Sequence, residues 1–247
     1  MDVRAAALAG VIAAATLVGA CGANDASFPV TDPRELLTKV VDRMIALQRV
    51  HIDVQLLESG NFLGGPAGAT LQADLDLANS ELSLAAKSTE AAADAVRVVV
   101  ANGTIFSSSG GNWDVTSLEK AAAAGPLGLL PARERVAEAM RAIVADERVG
   151  LERRDPVECP VGRCYSLVVT VPMVVLWKHV GPLVQPALGL PDVLPGDVPP
   201  VNLLLLADPA TFDLVYAELV YAPSSGRTRL RVDATGHDKP MQIVAPQ

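Results

Sequence analysis

Apolar and polar residues alternate with a period of two through much of this 247-residue chain. From Val50 to Leu56 every second residue is aliphatic, and His51, Asp53 and Gln55 stand between them. The same pattern returns in residues 71–77, 82–86, 96–100 and 228–234. Because successive side chains of a strand point to opposite faces, this pattern predicts antiparallel strands with one apolar and one polar face.

Three segments have helical spacing instead. Asp32 is a capping residue, Pro33 suits the first helical position, and a helix is predicted over residues 33–49. A second helix is predicted to begin near Pro131, and a third covers residues 172–188, which Pro182 and Pro186 should break into two pieces. Since these helices interrupt runs of strands, the fold class is α+β, with helices on one face of an antiparallel sheet.

The N-terminus carries the pattern of an exported lipoprotein. Residues 5–20 form an apolar run that is too short to cross a bilayer, which is typical of a signal peptide. The sequence Val-Gly-Ala-Cys at residues 18–21 follows it and looks like a bacterial lipobox, with Cys21 as the acylated residue. We therefore expect a signal peptide at 1–20, a lipidated tether at 21–31 and one domain at 32–247. The alternative is an ordinary signal peptide followed by an incidental cysteine.

The two other cysteines, Cys159 and Cys164, are separated by Pro-Val-Gly-Arg. Outside the cytoplasm such a close pair favours a disulfide at the tip of a turn. A zinc site would need two further ligands, and the nearest histidine is His179. A redox motif has two intervening residues rather than four.

Composition and motifs argue against several functions. A net charge of −8 disfavours a nucleic-acid partner, and aromatic residues are only 4%, so stacking platforms are scarce. The chain contains no Gly-x-Ser-x-Gly, no phosphate-binding glycine loop and no His-Glu-x-x-His. We expect no enzyme activity, no catalytic residues, no cofactor and no metal. Asp74 and Asp76 share a strand face, and we interpret them as solvated carboxylates.

The order of these features resembles a known family. A lipobox, a tether, an amphipathic helix leading into a Val-His-Ile-Asp-Val strand, a long meander, a helical insertion and terminal hairpins follow one another. The segment Glu35–Val54 is the most similar piece, and the segment from Asn102 to Val115 resembles the strand–turn–strand that precedes the helical insertion. They are similar to the mycobacterial lipoproteins of the LppX, LprA, LprF and LprG type, within the wider LolA-like lipid-carrier fold. The close cysteine pair is not a feature of every member.

This resemblance implies a curved antiparallel half-barrel sheet with helices packed on its concave face around an apolar cavity. It also implies a protein that binds lipids or acylated glycolipids there and carries them across the cell envelope. The expected location is the extracytoplasmic face of the cell membrane, held by the acyl anchor. A monomer is expected, with an envelope transporter or another protein as a further partner. The alternative is a non-carrier envelope module, sensor or chaperone-like, that binds a protein.

Apolar residues on the predicted inner faces are the candidates for the wall of this cavity. The alternative is that they fill an ordinary close-packed core. The predicted wall residues are Leu37, Val40, Val41, Met44, Ile45, Ile52, Val54, Leu75, Leu77, Leu84, Val98, Val175, Leu176 and Val180.

Overall fold

A computed structural model describes residues 28–58, 68–87, 96–109, 111–118, 133–188, 198–224 and 226–246. Within these residues three helices accompany eleven strands. The helices are α1 (Pro33–Ala46), α2 (Arg133–Ala145) and α3 (Met173–Leu188). The strands are β1 (Arg49–Glu58), β2 (Thr70–Asp76), β3 (Glu81–Lys87), β4 (Val96–Ala101), β5 (Thr104–Ser109), β6 (Trp113–Ser117), β7 (Gly150–Cys159), β8 (Gly162–Val171), β9 (Val201–Ala207), β10 (Leu214–Tyr221) and β11 (Thr228–Thr235). None of the described helices has the length and apolarity needed to cross a membrane.

All eleven strands belong to one antiparallel sheet in the order β6–β5–β4–β3–β2–β1–β11–β10–β9–β8–β7. Two meanders, β1 to β6 and β7 to β11, meet where β1 pairs with β11 in the interior of the sheet. The predicted α+β class is confirmed: the sheet is open and curved, and the helices pack on its concave face.

The first helix begins where its capping residue predicts. The Asp32 carboxylate accepts hydrogen bonds from the backbone N–H groups of Arg34 and Glu35 at 2.6 and 2.9 Å. The helix ends at Ala46 rather than at residue 49, because Arg49 already pairs with Asp76 in the sheet. The strand pattern therefore overrides the helical spacing over the last turn.

The third helix corrects the prediction of a break. Helix α3 runs from Met173 to Leu188 through both Pro182 and Pro186. Proline clashes with the Cβ of the residue before it, but that residue is Gly181, which has none. A Cβ at Gly181 would also lie 3.2 Å from the Trp177 ring. The glycine therefore removes two steric obstacles to a continuous helix at Pro182.

The predicted disulfide is confirmed. Cys159 and Cys164 are bonded, with their Cα atoms 6.0 Å apart, at the turn that joins β7 to β8. This separation lies within the usual range for a disulfide.

The packed domain begins before Asp32, the start predicted from the sequence. Phe28 and Val30 are each only 6% exposed, so the residues next to Asp32 belong to the packed domain and not to the predicted tether. The Phe28 ring packs edge-on against Tyr165 with centroids 5.0 Å apart, and the backbone N–H of Val30 donates to the Tyr165 hydroxyl at 3.0 Å. The signal peptide, Cys21 and the first part of the tether lie outside the described residues.

Candidate functional site

The concave face of the sheet is apolar across nearly its whole width. One row of directly opposed residues crosses eight strands, from β8 to β4, and every member is aliphatic. The row is Leu167, Leu205, Ala217, Val232, Val54, Leu71, Ala86 and Val96. The alternation noted in each separate strand therefore adds up to a single continuous surface.

Burial differs along this face. On β8 the side chains of Leu167 and Val169 are each only 2% exposed, because α1 and α3 cover them with Val40 and Val175. On the central strands the same face is mixed: a set of aliphatic residues is only half-buried, whereas their neighbours on that face are buried, namely Val50, Leu56, Ala73, Leu82, Val100 and Ala234. We call the half-buried residues the central concave surface: Ile52, Val54, Leu71, Leu75, Leu84, Val98, Leu230 and Val232.

Twelve of the fourteen predicted wall residues separate into two groups. One group belongs to the helix-covered core: Leu37, Val40, Val41, Met44, Ile45, Val175 and Leu176. The second belongs to the central concave surface: Ile52, Val54, Leu75, Leu84 and Val98. Leu77 lies in the turn after β2, and Val180 lies on α3; both are half-buried.

Sequence reasoning missed three members of the central concave surface, namely Leu71, Leu230 and Val232. All three stand in alternating segments, so the signal was present in the sequence. Their place beside Val54 depends on the β1–β11 pairing, which joins residues from opposite ends of the chain. Periodicity identifies the face of a strand but not the strand next to it.

Helix α1 is held over the sheet by an arginine near each end. The Arg34 guanidinium donates to the backbone carbonyls of Val144 and Val149, at the end of α2 and the start of β7. The Arg43 guanidinium contacts the carboxylates of Asp213 and Asp238 at 2.6 and 2.8 Å. These contacts fix the helix as one boundary of the concave face.

The convex face carries the polar partners of the same strands. Glu218 and Arg229 form a two-pronged pair with N–O distances of 2.8 and 2.9 Å, and both are 9% exposed. The Tyr216 hydroxyl donates to the same carboxylate at 2.8 Å. Burial by itself would raise the pKa of Glu218, but the hydrogen bonds from Arg229 and Tyr216 lower that pKa below its ordinary value. Charge on these strands is thus kept away from the apolar surface.

Asp76 corrects the interpretation of a solvated carboxylate pair. Its side chain is buried, accepts a hydrogen bond from Arg49 at 2.8 Å, and also accepts from the backbone and side chain of Asn79. Asp74, in contrast, is part-exposed and contacts His51. The two carboxylates therefore serve separate local contacts.

His51 lies on the convex face between two carboxylates. Its Nδ1 is 2.7 Å from Asp74 and its Nε2 is 3.1 Å from Asp53. The hydrogen bond to Asp74 raises the pKa of His51 against the opposing effect of burial, and the charge of Asp53 adds to the rise. When the ring is protonated, both nitrogens donate.

We expect this contact to make stability depend on pH. A group whose pKa is higher in the folded chain stabilises the fold while it is protonated. The contribution is complete below the unfolded pKa of about 6.5 and is lost as pH rises through the raised, folded value. The unfolding free energy of the native chain relative to His51→Gln, measured by urea denaturation, should therefore fall with rising pH. A difference that stays constant from about pH 5.5 to about pH 9 would contradict it.

No family model and no curated protein sequence matches this chain. Solved structures do. The lipoprotein LppX of Mycobacterium tuberculosis is 14% identical with a TM-score of 0.54, and the match covers 87% of this chain and 100% of LppX. LprF of Mycobacterium bovis is 14% identical with a TM-score of 0.55, covering 89% of this chain and 99% of LprF. The resemblance predicted from the sequence is thus confirmed as a shared fold.

Proposed function

We propose that this protein is a membrane-anchored extracytoplasmic lipoprotein that carries lipids or acylated glycolipids across the cell envelope. The observation that carries the proposal is the central concave surface. It presents eight aliphatic side chains that remain half-buried beside buried neighbours on the same strands, whereas Leu167 and Val169 on β8 are almost completely buried. An acyl chain laid on this surface would complete its burial.

The chemistry of the surface suits an acyl chain. Each methylene removed from water contributes about 0.8 kcal/mol, so a long chain gains many increments without needing a directed polar contact. Val, Leu and Ile supply all eight of its members. The Glu218–Arg229 pair and His51 lie on the opposite face of the sheet. This arrangement supports binding and carriage rather than catalysis.

The N-terminal sequence supports the anchor. An acylated Cys21 would hold the domain at the extracytoplasmic face of the membrane, since two or three acyl chains bind a bilayer firmly. LppX, which shares the fold, is itself described as a lipoprotein. An envelope transporter or another protein could then receive the cargo, and the carrier acts as a monomer.

Extraction of non-covalent lipid tests the proposal. The full chain with Cys21→Ser, exported and purified without detergent, should release acyl lipids on organic extraction, as detected by mass spectrometry. After delipidation it should bind a fluorescent fatty-acyl probe, because the aliphatic surface is again uncovered. A chain that yields no lipid and binds no probe would contradict the carrier function. That outcome would favour a protein-binding envelope module.

A further inference from the structure

The hairpin of β7 and β8 extends beyond the strand next to it. Tyr165 is the residue of β8 that pairs with Ala207, at the end of β9. Past that point, residues Val157–Cys164 pair only with each other, and we call this segment the hairpin tip. A two-stranded ribbon is marginally stable by itself. The disulfide at Cys159 and Cys164 lies where it can hold this ribbon together.

The apex of the hairpin tip is apolar and exposed. It consists of Pro160 and Val161, and the Val161 side chain is 53% exposed. Val157, on the adjoining strand, is 39% exposed. Other turns at the same end of the sheet present polar residues instead: Asn79–Ser80, Asn102–Gly103 and Asp208–Thr211. The hairpin tip is therefore distinct from these turns in both its reach and its chemistry.

The predicted anchor places this tip close to a membrane. Phe28 packs on Tyr165, and the guanidinium carbon of Arg163 lies 5.6 Å from the centroid of the Phe28 ring. An extended chain spans at most about 3.6 Å per residue, so the link from Cys21 to Phe28 reaches no more than about 25 Å. An anchor at Cys21 thus holds the base of the hairpin within that distance of the bilayer.

We propose that the hairpin tip docks into the surface of the bilayer that holds the anchor, with Val161 entering the boundary between the headgroups and the acyl chains. This inference rests on one part of the proposed function, namely that Cys21 is acylated. Acyl chains already supply affinity, so the tip supplies orientation: it adds a second point of contact and limits rotation about the tether. The end of the concave face next to the hairpin tip then points toward the membrane.

Tryptophan fluorescence in vesicles tests this orientation. The acylated full chain carrying Val161→Trp is reconstituted into phosphatidylcholine and phosphatidylglycerol vesicles whose acyl chains are brominated, since bromine quenches tryptophan at close range. Val174→Trp is the matched control: Val174 is 57% exposed and lies just beyond the far end of β8, a ten-residue strand of about 33 Å. The unmodified chain measures the background from Trp113 and Trp177.

We expect strong quenching in Val161→Trp and background quenching in Val174→Trp. Pro160→Trp, at the same apex, should repeat the result and guards against a local effect of one substitution. Equal quenching at both ends of β8, or none at the apex, would overturn the docking. Failure of acyl-probe binding alongside quenching at the apex would instead remove the carrier function and leave the docking in place.

Discussion

Replacing Val54 with Trp should abolish binding of a fluorescent fatty-acyl probe while leaving the domain folded. Val54 lies in the middle of the central concave surface, between Leu71 on β2 and Val232 on β11. In a close-packed core such an enlargement costs about 1–3 kcal/mol through overpacking. On a half-buried surface the indole extends into space that an acyl chain would occupy. We therefore expect a change in unfolding free energy below about 1 kcal/mol.

Gln55→Trp is the control for this variant. Gln55 is the next residue of the same strand, is exposed, and points to the convex face. It adds the same side chain to the same strand and should leave probe binding unchanged. Probe titration and thermal melting of both variants give the comparison. If Val54→Trp binds the probe as the native chain does, the acyl chains do not lie on this surface.

The second large effect concerns stability and the buried Glu218–Arg229 pair. Replacing Arg229 with Met leaves the Glu218 carboxylate buried without its main partner. Removing one member of a buried ion pair costs about 3–5 kcal/mol, and we expect the lower end because each residue keeps 9% exposure. The double variant with Glu218→Leu should recover most of this loss, since two apolar residues leave no unpaired charge.

An exposed ion pair supplies the control for the Arg229 variants. Arg154 and Glu152 also contact through a guanidinium and a carboxylate, at 3.0 Å, but both side chains are more than half exposed. Arg154→Met should therefore lower the unfolding free energy by less than about 1 kcal/mol. Urea denaturation of the native chain, the two single variants and the double variant provides the measurement. An Arg229→Met variant no less stable than Arg154→Met would refute the assignment of Glu218 as a buried, paired carboxylate.

Local sequence patterns predict the helices and strands better than they predict the tertiary contacts that these elements make. Asp32 and Pro33 define the start of α1 because capping is a short-range interaction. The predicted break at Pro182 is wrong: the proline removes one helix hydrogen-bond donor, but the missing Cβ of Gly181 relieves one of the clashes that a proline causes, and the helix continues. The local sequence around Phe28 predicts a tether, because its partner, Tyr165, is remote in sequence. Its burial depends on tertiary packing that no local pattern contains.

The same limit applies to the candidate site. Val40 and Val54 are both aliphatic residues on a predicted inner face, yet Val40 is 1% exposed and Val54 is half-buried. The difference arises because Val40 lies between a helix and the sheet, whereas Val54 lies on the central strands. Periodicity predicts which way a side chain points, and the covering element determines how far it is buried.

The pairing of β1 with β11 also shapes how this chain must fold. Every other pairing among the described strands joins strands that follow each other along the chain, with α3 lying between β8 and β9, so both meanders can grow by successive pairing of neighbours. Joining the meanders requires His51 to meet Thr235, which closes a loop spanning most of the domain. Closure entropy grows only with the logarithm of loop length, but a contact this distant slows the search for it. The rate-limiting event in folding is therefore expected to be the meeting of two preformed half-sheets along one seam, through the middle of the surface proposed to hold the lipid.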